Sequence, residues 1–279
     1  MSLHIASLNS GSNGNCYFIQ NGENAVLIDA GLSCRETEKR MKRLGLKIEH
    51  VKALFITHEH SDHIRGVEGL SKKHNLPVYI TESTLKQSRL GINKTLVRVF
   101  APYVSIAIGN LSVTAFPKQH DAVDPHSFLI EGNGITIGVL TDIGHVCEHV
   151  IDNFIKCDAA FLETNYDEEM LENGRYPVYL KTRIKSEKGH LSNNQALELF
   201  RKNRPRALSH LFLAHLSRDN NSAELALDLF QKHAGATTVE VASRYSETAV
   251  YQIGKNGFSR KLDLMNPEME TQQMSLFDL

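Results

Sequence analysis

The sequence has no apolar run that approaches the ~18 residues needed for a membrane-spanning helix. Its N-terminus lacks the basic segment and long apolar stretch of a signal peptide. Cysteines are few, and the four thiols form no C-x-x-C pair and have no spacing typical of disulfides. Isolated cysteines of this kind are typical of reduced cytosolic proteins. We therefore expect a cytoplasmic protein that does not associate with a membrane.

An excess of either charge is also missing, because 31 Lys and Arg residues stand against 32 Asp and Glu residues. No global basic field marks the chain as a nucleic-acid binder, so any such surface must be local. The sequence also lacks internal repeats and linkers, and its 279 residues, 41% of them hydrophobic, can form a sizeable core. We predict one domain over residues 1–253 and a flexible polar tail over residues 254–279.

What the sequence does contain is a dense H-x-H-x-D-H group, formed by His58, His60, Asp62 and His63. The preceding residues, 51–57, form a short apolar run rich in β-branched and aromatic residues, which predicts a buried strand that ends at the group. An apolar core cannot satisfy so many polar side chains. A metal can, because imidazole and carboxylate are ligands of Zn, Mn and Fe ions. Crowding disfavours four ligands on one ion, so the spacing favours two ions, one on the first two histidines and one on the Asp-His pair.

This motif after an apolar strand resembles the signature of the metallo-β-lactamase superfamily. The resemblance implies an αββα four-layer sandwich of two mixed β-sheets flanked by helices, with two divalent metal ions, Zn²⁺ or Mn²⁺. It implies that Asp29, in the segment VLIDAG, braces the metal loop, and that three further ligands lie downstream. These are His120 in FPKQHDA, a bridging Asp142 in IGVLTDIG and His215 in LAHLS. The implied ligand sets are His58, His60 and His120 on one ion, and Asp62, His63 and His215 on the other.

Two other histidines compete for these positions. His126 competes with His120, but it lies at the start of a predicted strand, whereas His120 directly follows one. His210 competes with His215, but it lies in mid-strand, whereas His215 lies past the strand end, beside the other ligand loops. We therefore favour His120 and His215 as ligands and leave the role of His126 open.

Two shorter segments point to one group within this superfamily. Residues 7–15, SLNSGSNGN, and residues 215–221, HLSRDNN, resemble the YycJ/WalJ group of this superfamily. Members of that group are described as metal-dependent 5′→3′ DNA exonucleases linked to bacterial mismatch repair and to cell-wall regulation. The resemblance extends over about residues 2–253 and implies DNA with a free end as the substrate. A hydrolase of small phosphodiesters or thioesters, which needs the same metal core, remains the alternative.

A phosphodiesterase also needs a proton donor for the leaving oxygen. Phosphodiesterases of this superfamily that process tRNA 3′ ends pair a Glu with a His from a G-H-S/T segment. Glu163, at the end of a predicted strand, and His190, in GHLSN, resemble that pair. The resemblance implies that His190 is the general acid, oriented by Glu163, and that both act together with the metal ligand Asp62. The alternative is an ordinary histidine near a helix N-cap and an ordinary buried carboxylate.

Three segments are candidates for substrate contacts. Residues 175–188 hold five basic residues and two tyrosines, which could follow a phosphate backbone and stack on bases. The loop at residues 9–15 could present amides to a phosphate, and residues 218–221 follow the last ligand. The alternatives are a solvated charged face and a plain hairpin connection. The expected contacts are Ser12, Asn15, Lys181, Arg183, Arg218 and Asn220.

The remaining pattern predicts alternating strands and helices. A helix is expected from Ser33, with Glu36 completing a capping box and Gly45 ending it. The GNG break at residues 132–134 predicts a hairpin. Strands are expected at residues 3–8, 16–20, 25–29, 77–80, 111–116, 127–131, 135–140, 159–164, 206–213, 237–241 and 249–253, and further helices at 146–156, 193–202 and 223–233.

The tail ends in QMSLF, residues 273–277, which resembles the pentapeptide that binds the bacterial sliding clamp. An exposed Leu-Phe pair on a polar segment could fill an apolar pocket of a partner, with the glutamine at its edge. Short motifs often occur by chance, so a tail that folds back onto its own domain is the alternative. The expected clamp contacts are Gln273, Leu276 and Phe277.

Overall fold

Two β-sheets packed face to face form the centre of the computed structural model, which describes residues 2–265. Within this range the first sheet contains, in spatial order, β15 (Ser259–Leu262), β14 (Val250–Ile253), β1 (Leu3–Asn9), β2 (Cys16–Asn21), β3 (Asn24–Ile28), β4 (Val51–Phe55), β5 (Val78–Ile80) and β6 (Val97–Val99). Neighbours are antiparallel from β15 to β3 and parallel from β3 to β6.

The second sheet is also mixed. Among the described residues it contains, in spatial order, β13 (Thr238–Val241), β12 (His210–Ala214), β11 (Ala159–Glu163), β10 (Ile135–Leu140), β9 (His126–Gly132), β8 (Leu111–Pro117) and β7 (Ser105–Ile108). Neighbours are parallel from β13 to β10 and antiparallel from β10 to β7. The predicted hairpin is the connection between β9 and β10.

Helices cover the outer faces of both sheets. Apolar residues of α1 and α3 pack against the first sheet, and those of α5, α8 and α9 pack against the second. This confirms the predicted αββα sandwich. In the described part of the chain, no helix is long and apolar enough to cross a membrane. The helices are α1 (Cys34–Arg43), α2 (Ser61–Ile64), α3 (Val67–His74), α4 (Glu82–Ser88), α5 (Glu148–Phe154), α6 (Glu168–Asn173), α7 (Val178–Lys185), α8 (Asn193–Asn203) and α9 (Ala223–Gln231).

The central strands are apolar on both faces because both faces are buried. In β4, Phe55 joins the core between the sheets while Leu54 packs outward under the helices. In β11, Phe161 and Leu162 divide in the same way. Successive side chains of a strand point to opposite faces, so a run without polar interruptions is typical of a strand covered on both sides.

The first helix begins and ends where the sequence predicts. The Ser33 hydroxyl accepts a hydrogen bond from the Glu36 backbone N–H at 3.3 Å, and Gly45 follows the helix with a φ of 69°. The capping box is only half formed, because the Glu36 carboxylate accepts a hydrogen bond from the Arg40 side chain at 3.0 Å instead.

Two expectations are wrong. The strand expected from residue 206 begins only at His210, because the Leu208 N–H bonds back to the Pro205 carbonyl in a turn. The domain does not end at residue 253, since β15 pairs with β14 beyond that point. In this edge strand only Leu262 is buried, so its polar sequence hides the strand pattern. The proposed clamp motif, residues 273–277, lies outside the described residues.

Candidate metal centre

The site lies where parallel strands of the two sheets end. Strands β3 and β4 are parallel, and so are β10, β11 and β12, so their carboxyl ends meet at one edge of each sheet. Asp29, Asp142 and His215 follow three of these strands with left-handed φ angles of 60°, 53° and 57°. Such angles are uncommon for residues other than glycine and are concentrated at functional sites.

The first group of side chains comes from two loops. His58 and His60 follow β4, and His120 follows β8. One ring nitrogen of each lies within 4.8 Å of the others, a spacing that suits three ligands of one ion. Burial lowers the pKa of His58 well below its usual range, and the neighbouring His63 lowers it further. A neutral imidazole is the form that binds metal.

The second group combines the same loop with the end of β12. The ligand atoms of Asp62, His63 and His215 lie within 4.8 Å of one another. The nearest Asp62 oxygen is 3.6 Å from Nε2 of each histidine. Burial alone would lower the pKa of His215, but the surrounding carboxylates, Asp142 foremost, raise it to about 10. The field at this point therefore favours positive charge, as a cation site requires.

Asp142 lies between the two groups. Its Oδ2 is 3.2 Å from Nε2 of His63, and its Oδ1 is 3.8 Å from Nε2 of His120. Burial would raise the pKa of this carboxyl group, but His215, His63 and Lys118 bring it well below its usual range. The carboxylate is thus ionised and contacts both groups, which suits a bridging ligand.

Unsatisfied buried atoms test whether metal ions fit. Within residues 2–265, Nε2 of His120, Nε2 of His215 and Oδ2 of Asp142 are buried and form no hydrogen bond. A buried polar atom without a partner is unfavourable and requires an explanation. Two of these atoms belong to the two groups and the third belongs to Asp142 between them, so bound cations explain all three together.

Hydrogen bonds from outside the groups orient the ligands. Asp29 accepts a bond from the Thr57 N–H at 2.8 Å, and its Oδ2 lies 2.6 Å from Nδ1 of His63. Nδ1 of His120 lies 2.9 Å from the Gly189 carbonyl. Such bonds hold each ring through Nδ1, so that Nε2 is the nitrogen that can bind metal. Asp29 thus has the contacts expected of a brace.

Two residues of this supporting layer were not predicted in that role. The fully buried Asn15 lies 3.3 Å from the Asp62 carboxylate and 3.0 Å from Nε2 of His63, so its position favours orienting ligands over contacting substrate. The ammonium group of the buried Lys118 donates to the Thr141 carbonyl at 2.6 Å, beside Asp142. No sequence signal marks Lys118, because a lysine before a metal loop is normally exposed.

Glu163 and His190 meet beside the metal ligands. Oε1 of the fully buried Glu163 lies 2.8 Å from Nδ1 of His190 and 2.9 Å from Nδ1 of His215. Its Oε2 accepts a bond from the Ile143 N–H at 2.6 Å. Burial would raise the pKa of Glu163, but His190 and His215 lower it to about 2, so the carboxylate is ionised. The His190 side chain is 19% exposed and therefore reachable by a substrate.

The other residues expected to contact substrate lie partly on the surface and partly in the interior of the protein. Ser12 and Arg218 are exposed. Lys181 and Arg183 lie on α7, where Arg183 pairs with Asp121 at 2.5 Å. Asn220 is buried and its amide lies 3.4 Å from the Ser217 hydroxyl, so it is held within its own loop.

The competing histidines lie outside both groups. His126 is buried, and its backbone N–H donates to the Thr57 carbonyl at 3.0 Å. Nδ1 of His210 contacts the Ser259 hydroxyl at 2.9 Å, far along β12 from its carboxyl end. The positions of these rings therefore favour His120 and His215 as the metal ligands.

Comparison with known proteins defines the class of the protein. Residues 24–215 match the family described as Beta-lactamase superfamily domain. The solved structure of the metallo-beta-lactamase fold protein YhfI from Bacillus subtilis aligns with a TM-score of 0.67 at 16% identity, covering 94% of this chain and 100% of that chain. Fold and cluster together are those of a metal-dependent hydrolase.

Two sequence relatives narrow the class. Exodeoxyribonuclease YycJ of Bacillus anthracis is 37% identical over 229 residues, which are 81% of this chain and 87% of the relative. Exodeoxyribonuclease WalJ of Streptococcus pneumoniae serotype 2 is 34% identical over 224 residues, 78% of this chain and 83% of the relative. The chain belongs to the YycJ/WalJ family.

Proposed function

We propose that the protein is a dinuclear-metal-dependent phosphodiesterase, a 5′→3′ DNA exonuclease that acts in DNA repair, specifically mismatch repair. The observation that carries this proposal is the pair of ligand groups that share Asp142, with Glu163 and His190 beside them. A hydrolase with a metal centre and a separate proton donor is suited to breaking a bond with a poor leaving group.

The metal sites follow from the two groups. His58, His60 and His120 would hold one divalent ion, Asp62, His63 and His215 the other, and Asp142 would bridge them. Imidazole and carboxylate ligands suit Zn²⁺ and Mn²⁺. When bound, such ions lower the pKa of a water molecule toward ~7 and stabilise negative charge on phosphoryl oxygens.

The chain's own residues supply the proton. Because Glu163 accepts the hydrogen bond from Nδ1 of His190, Nε2 of the ring is left to face the leaving oxygen and protonate it. The same carboxylate contacts His215, so the donor and a metal ligand are held by one fixed group. The half-buried His190 ring can therefore act at a defined position relative to the metal ions.

The choice of DNA as substrate rests on the relatives and on local charge. Both relatives named above are exodeoxyribonucleases. The chain carries a net charge of −1, so attraction to DNA must come from limited surfaces. Helix α7 offers one, with Lys181 and Arg183 beside the exposed Val178 and Tyr179.

The test is hydrolysis of oligonucleotides labelled at either end. Single- and double-stranded DNA and RNA would be incubated with Zn²⁺ or Mn²⁺, with a His190→Ala variant as control. We expect mononucleotides released from the 5′ end of DNA. Absence of DNA hydrolysis together with cleavage of a thioester or a small phosphodiester would instead support the alternative hydrolase.

A link to replication is the second part of the proposal. The QMSLF segment, with Gln273, Leu276 and Phe277, would bind the bacterial sliding clamp. A repair exonuclease would gain local concentration at replicating DNA from such a tether without any change in its active site.

A further inference from the structure

A cavity of about 320 Å³ opens beside the metal centre. Two loops form its walls. Leu216, Ser217 and Arg218 directly follow the ligand His215, while Ser243, Arg244 and Tyr245 follow β13. A volume of this size is within the lower range of small-ligand sites, about 300–1,000 Å³.

Hydrogen bonds connect this cavity to the metal loop. The Ser10 hydroxyl accepts a bond from the His215 N–H at 2.7 Å, and the Ser10 N–H donates to the Ser243 carbonyl at 3.1 Å. The Asn13 amide donates to the Arg244 carbonyl at 2.8 Å. The loop at residues 9–15 therefore holds the cavity wall in a fixed position next to a metal ligand.

The lining of the cavity is basic, with Arg218 and Arg244 and no acidic side chain. In the part of the chain that the structure describes, the exposed Arg218 side chain has no hydrogen-bond or ion-pair partner. Arg244 donates a long bond of 3.4 Å to the Leu216 carbonyl and, within residues 2–265, has no ion-pair partner. Two guanidinium groups without carboxylate partners suit a phosphate, which they can bind in a bidentate manner.

The cavity also offers a surface for an aromatic base. The Tyr245 ring is 73% exposed, and the Arg244 guanidinium carbon lies 5.9 Å from its centroid. Leu216, Val241 and Ala242 supply apolar wall. An exposed aromatic ring beside a guanidinium group is a stacking platform for a nucleobase, and such stacking tolerates any base.

We propose that this cavity binds the terminal nucleotide of the DNA strand, a nucleoside monophosphate, with its phosphate on Arg218 and Arg244 and its base on Tyr245. This rests on the proposed nuclease function and deepens it. A subsite that takes one terminal nucleotide positions the next phosphodiester at the metal centre. The protein would then cut from a strand end rather than within a strand.

The test is calorimetric titration of the metal-loaded protein with dAMP, deoxyadenosine and inorganic phosphate. The variants are Arg244→Gln, Tyr245→Ala and the conservative Tyr245→Phe, with Arg201→Gln on the exposed face of α8 as control. We expect the first two to weaken dAMP binding by about tenfold or more, and Tyr245→Phe and the control to leave it unchanged. Inorganic phosphate, which lacks the base, should bind Tyr245→Ala and the control as tightly as it binds the wild type.

Equal dAMP affinity in wild type, Arg244→Gln and Tyr245→Ala would overturn the proposal, because binding would then belong to the metal ions alone. Absence of dAMP binding to the wild type would overturn it as well. If Arg244→Gln fails to fold, the dAMP affinity of Tyr245→Ala alone tests the proposal, because Tyr245 is exposed. The titration needs no turnover, so failure of the nuclease function would appear separately, in the assay with labelled DNA.

Discussion

At the scale of single residues, Glu163 connects two parts of the site. One oxygen contacts Nδ1 of both His190 and His215, and the other accepts the Ile143 N–H. A carboxylate with a pKa lowered to about 2 stays ionised at neutral pH and can accept all these bonds. The sequence marks Glu163 as a partner of His190, but its contact with His215 makes it a support for a metal ligand as well.

The first prediction tests whether His190 is a proton donor or a metal ligand. His190→Ala should keep both metal ions and the fold, while kcat on DNA falls ~10²–10⁴-fold, because the leaving oxygen loses its donor. A p-nitrophenyl ester of thymidine phosphate, whose leaving group needs no proton, should recover much of that loss. Metal analysis and kinetics with both substrates are the measurements.

Glu163→Gln is the matched comparison. Because Glu163 also holds His215, this variant should lose metal affinity by about 10–100-fold in addition to activity. Loss of metal in His190→Ala, or no recovery with the better leaving group, would contradict the role assigned to His190.

The second prediction concerns the number of metal ions that each chain binds. Asp62→Ala should lower the metal content from two ions per chain to about one, because Asp62 belongs to the second group and leaves the three histidines of the first intact. Elemental analysis of the purified variant measures this, with the exposed His233→Ala as control. Two ions retained in Asp62→Ala would show that the grouping is incorrect.

At the scale of elements, α7 lies close to the site, because its Arg183 pairs with Asp121, the neighbour of the ligand His120. It begins after Pro177, and Val178 and Tyr179 on its first turn are 78% and 75% exposed. The Lys181 ammonium group donates to the Glu172 carbonyl at 2.5 Å, so this side chain is anchored to the neighbouring helix α6. An exposed basic helix of this kind is suited to sequence-independent contact with a phosphate backbone.

The third prediction tests α7. The double variant Lys181→Gln/Arg183→Gln should weaken binding to single-stranded DNA and reduce the salt dependence, since each phosphate contact contributes a slope of about −0.7 in log K against log salt. Fluorescence anisotropy over a range of salt concentrations measures it. The control is Arg201→Gln/Lys202→Gln on α8, and an identical loss in both variants would mean that only overall charge matters.

At the scale of the whole molecule, an almost neutral protein must concentrate its DNA contacts. The net charge is −1, and Arg218 and Arg244, which have no acidic partner among the described residues, lie near the metal centre. Weak attraction to DNA at a distance makes a tether useful, because a second binding site raises the effective concentration of the first.

The fourth prediction tests the tether. Deleting residues 273–279 should leave hydrolysis of free oligonucleotides intact while abolishing binding to the bacterial sliding clamp in a calorimetric titration. A Gln273→Ala/Phe277→Ala variant of the full chain is the finer test, because it keeps the length of the tail. Clamp affinity that is equal with and without the segment would exclude this role.

The sequence by itself determined the sandwich and the core of the site. The H-x-H-x-D-H spacing is a local pattern that depends on neighbouring residues. The sandwich and the three distant ligands, His120, Asp142 and His215, follow from the family resemblance that this motif carries. The structure accordingly brings all seven expected ligands together.

Only the tertiary structure decided the supporting contacts. Asn15 meets Asp62 across 47 positions and Glu163 meets His215 across 52, separations at which no local spacing predicts contact. β15 was missed because an edge strand with one buried residue carries no apolar pattern. The cavity with Arg244 and Tyr245 was missed for a similar reason: its two loops follow different strands and become neighbours only because those strands are parallel and adjacent.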